Sequence, residues 1–292
     1  MNANKLLSLA SVGLAGMMVQ YASAQTTNYT WTGGGDGTTW ESGANWAGGV
    51  APVNDGTTFQ IALGTGNPTT STMPITIGAS THVVLQDNVF GPEWGQTLNV
   101  YGSLASGLFF TPVGAMGGPT SVINLYGTAS LSAVDTIFVG DPFWINAITI
   151  PNVTINLYGS SVMSANYVTL AGHLNIYGGT VTANNALLVG TPTWGPWGDG
   201  STTGPATTDA TRLVDLAGGQ LVLPGDATAQ INDMISRGIL QGYGVNGQVA
   251  VDTTTSPGFT IITGVVPEPA SMTLLGLGGL VGVFFLRRRS AA

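Results

Sequence analysis

Apolar and polar residues alternate strictly in four short stretches of this chain, and each stretch ends the same way. They read "LNVYG" at 98–102, "INLYG" at 123–127, "INLYG" at 155–159 and "LNIYG" at 174–178, with a degenerate fifth, "VDLAG", at 214–218. A period of two closed by glycine is the pattern of a β-strand running into a turn. Each full copy leads into a second alternating stretch, and three of these end in a small-residue step: "SLSAVDTIFVG", "SVMSANYVTLAG" and "TVTANNALLVG". Tyr101, Tyr126, Tyr158 and Tyr177 lie 25, 32 and 19 residues apart. The shortest interval fits one coil of a β-solenoid, and the longer ones add loops to the same coil. The expected fold is therefore all-β, a right-handed parallel β-helix over residues 25–225. An antiparallel sandwich would explain the strand–turn periodicity too.

In a stack of coils the apolar residues at the first and third positions of each pentapeptide face inward, and each coil buries them only against its neighbours. Asn99, Asn124, Asn156 and Asn175 then lie above one another, with Asp215 next, and form a ladder of side-chain amides. The β pattern breaks at 226–238, "DATAQINDMISRG". There Ile231, Met234 and Ile235 recur at helical spacing behind Asp226, a residue type suited to an N-cap. This predicts a short amphipathic helix covering the last coil, with strands at "GQVAVD" and "GFTIITG" completing a cap over 226–264. Residues 255–258 form a turn, and 264–269 tether the body to the tail.

The two ends carry targeting patterns. Residues 1–24, "MNANKLLSLASVGLAGMMVQYASA", combine one lysine, a short apolar centre, and Ala22 and Ala24 at the −3 and −1 positions. That is a secretory signal peptide cut after Ala24, which implies passage through the Sec translocon. At the other end 270–286 is an uncharged run of 17 residues followed by Arg287, Arg288 and Arg289. A bilayer core needs roughly 17–25 helical residues, so one C-terminal transmembrane helix is expected. The arginines would stop transfer and stay cytoplasmic. Export first and stop-transfer last give a type I topology.

Val266, Pro267, Glu268 and Pro269, then the apolar run, then the arginine cluster together resemble the PEP-CTERM sorting signal, here assigned to 265–292. The resemblance implies a bacterium with an outer membrane, and an exosortase-type processing enzyme as partner. It also implies removal of the tail and delivery to the cell surface or an extracellular polysaccharide matrix. Prolines on both sides of Glu268 keep that site extended and free of helix. The opening segment, "YTWTGGGDGTTWESGANWAGGVAPVNDG", resembles the start of bacterial surface β-helix proteins, including autotransporter-like passengers. Its Trp31, Trp40 and Trp46 are expected ahead of the first strands. No C-terminal β-barrel pattern follows, so self-transport through an outer membrane is not expected.

Charge narrows the function. Between the two ends only Arg212 and Arg237 stand against 13 carboxylates, a balance that repels nucleic acid and anionic surfaces. Without cysteine there is no disulfide framework and no thiolate chemistry. Glycoside hydrolysis needs two carboxyls flanking one bond. Asp135 with Asp141, or Asp199 with Asp209, could supply them from equivalent loops, but isolated surface acids explain them equally. His82 and His173 are single histidines in strand-like stretches, expected to be satisfied or solvent-facing rather than metal ligands. "GGGDG" at 33–37 is similar to calcium-binding glycine–aspartate repeats, which require tandem copies; here it occurs once. No metal site, cofactor or catalytic residue is expected.

Two stretches, "IFVGDPFW" and "LLVGTPTWGPW", leave the repeat through the same Val-Gly-x-Pro-x-Trp sequence. Stacking would put Phe143, Trp144, Trp194 and Trp197 on one side. Such rings could contact a glycan, or fold back over the flank as a small core. The expected protein is an exported, non-enzymatic surface or matrix protein associated with exopolysaccharide. The alternative is a secreted carbohydrate-active enzyme, a glycoside hydrolase or lyase on a β-helix.

Overall fold

The computed structural model describes residues 27–52, 58–62, 74–84, 88–90, 95–110, 120–140, 153–189, 213–246 and 248–266. The expected signal peptide at 1–24 and the tail beyond Val266 lie outside them. Among the described residues no helix is long and apolar enough to cross a membrane. The run 270–286, expected to do so, is not among those residues.

The described chain is mostly β, in two sheets whose strands are largely parallel. The pentapeptides build one sheet. Thr97–Val100, Ser121–Leu125, Val153–Leu157, His173–Ile176 and Leu213–Leu216 lie side by side in chain order. Ile75–Ile77 precedes them and Leu240–Gly242 follows. The register sets like on like: Ile123 opposite Ile155, Asn124 opposite Asn156, Leu125 opposite Leu157. Asn99 meets Asn124, Asn156 meets Asn175, and Asn175 meets Asp215. The second stretches build the other sheet, where Leu104, Leu131, Met163, Val181 and Leu221 fall in one column.

Alternation sends one side of each strand into a single apolar cluster. Leu98, Val100, Ile155, Leu157, Leu174 and Ile176 are fully buried there, with Leu104, Leu131, Met163 and Val181 from the other sheet. Burying each such side chain contributes about 1.5–3 kcal/mol, and no single repeat encloses its own.

Parallel stacking stops at the C-terminal end. Phe259–Gly264 pairs antiparallel with Gln220–Pro224 and with Val249–Asp252, and Val245–Asn246 turns back antiparallel on Leu240–Gly242. Between these strands lies the helix, which runs over Thr228–Ser236 rather than the whole of 226–238. It buries Ile231 and Met234, while Ile235 is partly buried. Its Gln230 amide donates to the Leu187 carbonyl at 2.6 Å. Ala227, not Asp226, is the N-cap and makes no side-chain cap bond. The Ala227 N–H is held by Thr260 Oγ1 at 2.9 Å, and Asp226 instead closes a local turn onto the Thr228 N–H at 3.0 Å.

At the N-terminal end a strand, Thr27–Thr30, comes before the tryptophans and pairs in parallel with Thr58–Ala62. The expectation that all three tryptophans precede the first strand is corrected here. Trp31 and Trp46 bridge each other, and both Trp31 and Trp40 meet the Trp46 ring edge-on at 5.0 and 4.7 Å. The Trp40 N–H donates to the Thr76 carbonyl, and the Thr76 N–H to the Thr38 carbonyl. This segment therefore covers the open edge of Ile75–Ile77, an edge that would otherwise template pairing with another chain.

The turns stack as closely as the strands. Gly127 and Gly159 take left-handed φ values of +64° and +67°, and in the next repeat Gly179 takes that conformation at +73°. A Cβ on Gly179 would sit 1.9 Å from the Ser161 carbonyl oxygen, whereas Gly225, at φ +65°, has nothing within 4 Å. Gly225→Ala should cost about 1–2 kcal/mol, the expense of a left-handed alanine in open space. Gly179→Ala should cost clearly more. Denaturant midpoints of the two full-length variants compare them, and equal losses would refute close stacking of the turns.

Candidate functional site

Because Leu98 and Val100 point inward, Asn99 and Tyr101 point outward, and the same holds in the next three repeats. Asn124 Nδ2 donates to Asn99 Oδ1 at 2.9 Å, Asn156 to Asn124 at 2.9 Å, and Asn175 to Asn156 at 2.8 Å. Two residues further along each strand the tyrosines form a second column. Their rings stack nearly parallel, with centroids 5.0, 5.1 and 5.1 Å apart and planes within 19°. Such stacking adds about 0.5–1.5 kcal/mol per pair to the area buried. Burial, then the neighbouring phenols of Tyr177 and Tyr126, push the Tyr158 hydroxyl up, so it stays protonated.

A third outward column consists of Thr97, Val122, Thr154 and His173, two residues before the asparagines. Burial lowers the pKa of His173, so its imidazole is neutral at pH 7. The face thus presents three columns of four rungs without a charge. In place of a fifth asparagine stands Asp215, whose Oδ1 accepts from the Gly244 N–H at 3.1 Å. Tyr101 and Tyr177, at the ends of the stack, are the most exposed of the four rings, at 44% and 43%.

The "GGGDG" stretch is a folded loop organised around two side chains. Asp36 Oδ1 accepts from the N–H groups of Thr38 and Thr39, both at 2.9 Å, and from Asn45 Nδ2 at 2.6 Å. Buried Asn45 accepts in turn from Gly35 and Gly37 at 2.9 Å. The carboxylate serves the backbone of its own loop. These bonds, Thr39 first, hold the Asp36 carboxyl well below its ordinary 3.8. Asp252 is lowered in the same way by Thr255 and Thr254.

Of the residues singled out from sequence, the asparagines come together as expected. Phe143, Trp144, Trp194 and Trp197 lie outside the described residues, as do Asp141, Asp199 and Asp209, and with them both acid pairs. Asp135 lies at the bend between Ser130–Ala133 and Thr136–Val139. His82 Nδ1 is 2.8 Å from Ser103 Oγ on the exposed side of the other sheet. Ala22, Ala24, Pro267, Glu268, Pro269, Arg287, Arg288 and Arg289 are also outside the described residues. Among the described residues no three His, Asp or Glu side chains gather as a metal site would. The tyrosine column was missed, although its signal is in the pentapeptide: a tyrosine two residues after each asparagine must share its face.

Asn156→Leu leaves Asn124 Oδ1 and Asn175 Nδ2 without their partner and should destabilise the protein by about 1–3 kcal/mol. Thr154→Val, on the same strand and face, should stay within about 0.5 kcal/mol; equal costs in chemical denaturation would remove the ladder from the account of stability. Asp36, depressed when folded, contributes stability that is present above 3.8 and lost as pH falls below it. Tryptophan fluorescence followed from about pH 5 to about pH 2 should show the wild type losing stability in acid. Asp36→Ala, already weaker at neutral pH, should lose less.

The body ends where the tail begins. The Val265 N–H donates to the Gln248 carbonyl at 2.8 Å, and Val266 is 62% exposed. Comparison with known families gives one match: residues 265–289 fit the PEP-CTERM protein-sorting motif. No curated protein and no solved structure matches the chain. The chain therefore carries, starting at the residue whose amide is pinned to Gln248, the sorting motif of exported proteins processed by exosortases.

Proposed function

We propose that this chain is an exported, non-enzymatic surface protein whose body is a right-handed parallel β-solenoid. It is sorted and cleaved at its C-terminal tail and associates with extracellular polysaccharide at the cell surface or in the matrix. The observation that carries the reading is the sorting motif at 265–289. A Sec-dependent signal peptide at 1–24, the type I orientation and a membrane helix over 270–286 complete the route. The like-on-like parallel register of the pentapeptide strands supports the solenoid, since one coil placed on the next produces it. Asparagines and tyrosines bonded or stacked to their own copies support a scaffold role, because those polar groups serve the repeat rather than a reaction centre.

Cleavage and retention can be read together. Replacing Arg287, Arg288 and Arg289 with glutamine removes the stop-transfer charge. The variant should then fail to give correctly processed protein at the surface. Cell fractionation with mass spectrometry of both mature ends measures this. Surface protein with an unchanged C-terminus would overturn the sorting reading.

A further inference from the structure

The outward face of the pentapeptide sheet is ordered beyond what a solvated surface needs. Stacking uses up the tyrosine faces, so the column offers phenol edges and hydroxyls at intervals of 5.0–5.1 Å. After their ladder bonds the amides of Asn124 and Asn156 each retain one N–H and one lone pair, Asn99 keeps both N–H groups, and Asn156 is the most buried of the column. The side chains are held in one arrangement by their neighbours, so a ligand would not bear the cost of ordering them.

Periodicity and charge select the occupant. A peptide strand laid along the stack advances about 3.3 Å per residue and repeats on one face at about twice that, out of step with the rungs. Nucleic acid and other polyanions are opposed by Asp215 at the end of the face and by the excess of carboxylates over arginines in the body. An extended chain of pyranose rings advances close to one rung per sugar. It offers hydroxyls to the amides and phenols, and C–H faces to the open rings of Tyr101 and Tyr177. We infer that the asparagine and tyrosine columns form a binding track for an extended neutral polysaccharide lying along the stack, each rung weak and the array additive. The inference rests on the proposed association with extracellular polysaccharide and names the surface that makes it.

The test uses the full-length chain in mild detergent, with mixed-linkage β-glucan as the neutral probe and alginate as the polyanion. Tyr126→Phe/Tyr158→Phe keeps the stack and removes two hydroxyls. Wild type should be retarded by β-glucan in affinity electrophoresis and not by alginate. The double variant, with an unchanged unfolding midpoint, should bind about tenfold more weakly, as expected for two lost hydrogen bonds. Equal binding by the variant, with loss instead in Trp144→Ala/Trp194→Ala, would overturn the track while leaving polysaccharide association intact. No wild-type binding to either polymer would overturn both. Concentration-dependent dimers in light scattering, absent in the tyrosine variant and without glucan binding, would assign the face to a second copy of this chain and overturn the proposal.

Discussion

Parallel strands carrying the same five residues leave one variable open, their register, and the asparagine ladder closes it. Alternation alone excludes only odd slips, since a shift of one residue turns Leu98 or Ile155 outward and Asn156 inward. A shift of two keeps the apolar side inside and costs little in burial. It would, however, set Asn156 against Tyr126 or Val122 and break both amide bonds and ring stacking. The two outward columns thus remove the even slips that hydrophobicity tolerates. Registry specified by a polar residue at modest cost is a recognised use of such groups in other repeating folds.

With register fixed at the pentapeptides, the chain between them is free to vary. The intervals of 25, 32 and 19 residues separate strands that stack equally well, and ring spacing changes by only 0.1 Å across all three. The described strands on either side of the longer intervals keep the same register, so the ladder does not depend on the length of chain between them.

Much of this was legible in the sequence because the repeat states it locally. Inward positions, the asparagine column, the helix and both terminal strands follow from period and spacing within a few residues. Tertiary contacts set the remainder. Asp226 looked like a cap, but the hydroxyl that holds the Ala227 N–H comes from Thr260, 33 residues away. A strand before Trp31 was hidden because its partner, Thr58–Ala62, belongs to a separate stretch. "GGGDG" resembled an ion loop in isolation, yet its carboxylate answers Asn45, nine residues on. The antiparallel close of both sheets likewise has no signature in any single segment.

That antiparallel close also governs what the tail can do. Phe259–Gly264 is held on both edges, by Gln220–Pro224 and by Val249–Asp252. Gly264 fits beneath the Leu216 carbonyl so closely that a Cβ there would sit 1.8 Å from its oxygen. The strand that hands over to the sorting motif is therefore held inside the sheet, with one further amide, that of Val265, pinned to Gln248. Only Val266 stands between that amide and Pro267, which has no N–H to extend the ladder. The folded body consequently reaches the motif without a spacer, since the motif begins at Val265 itself.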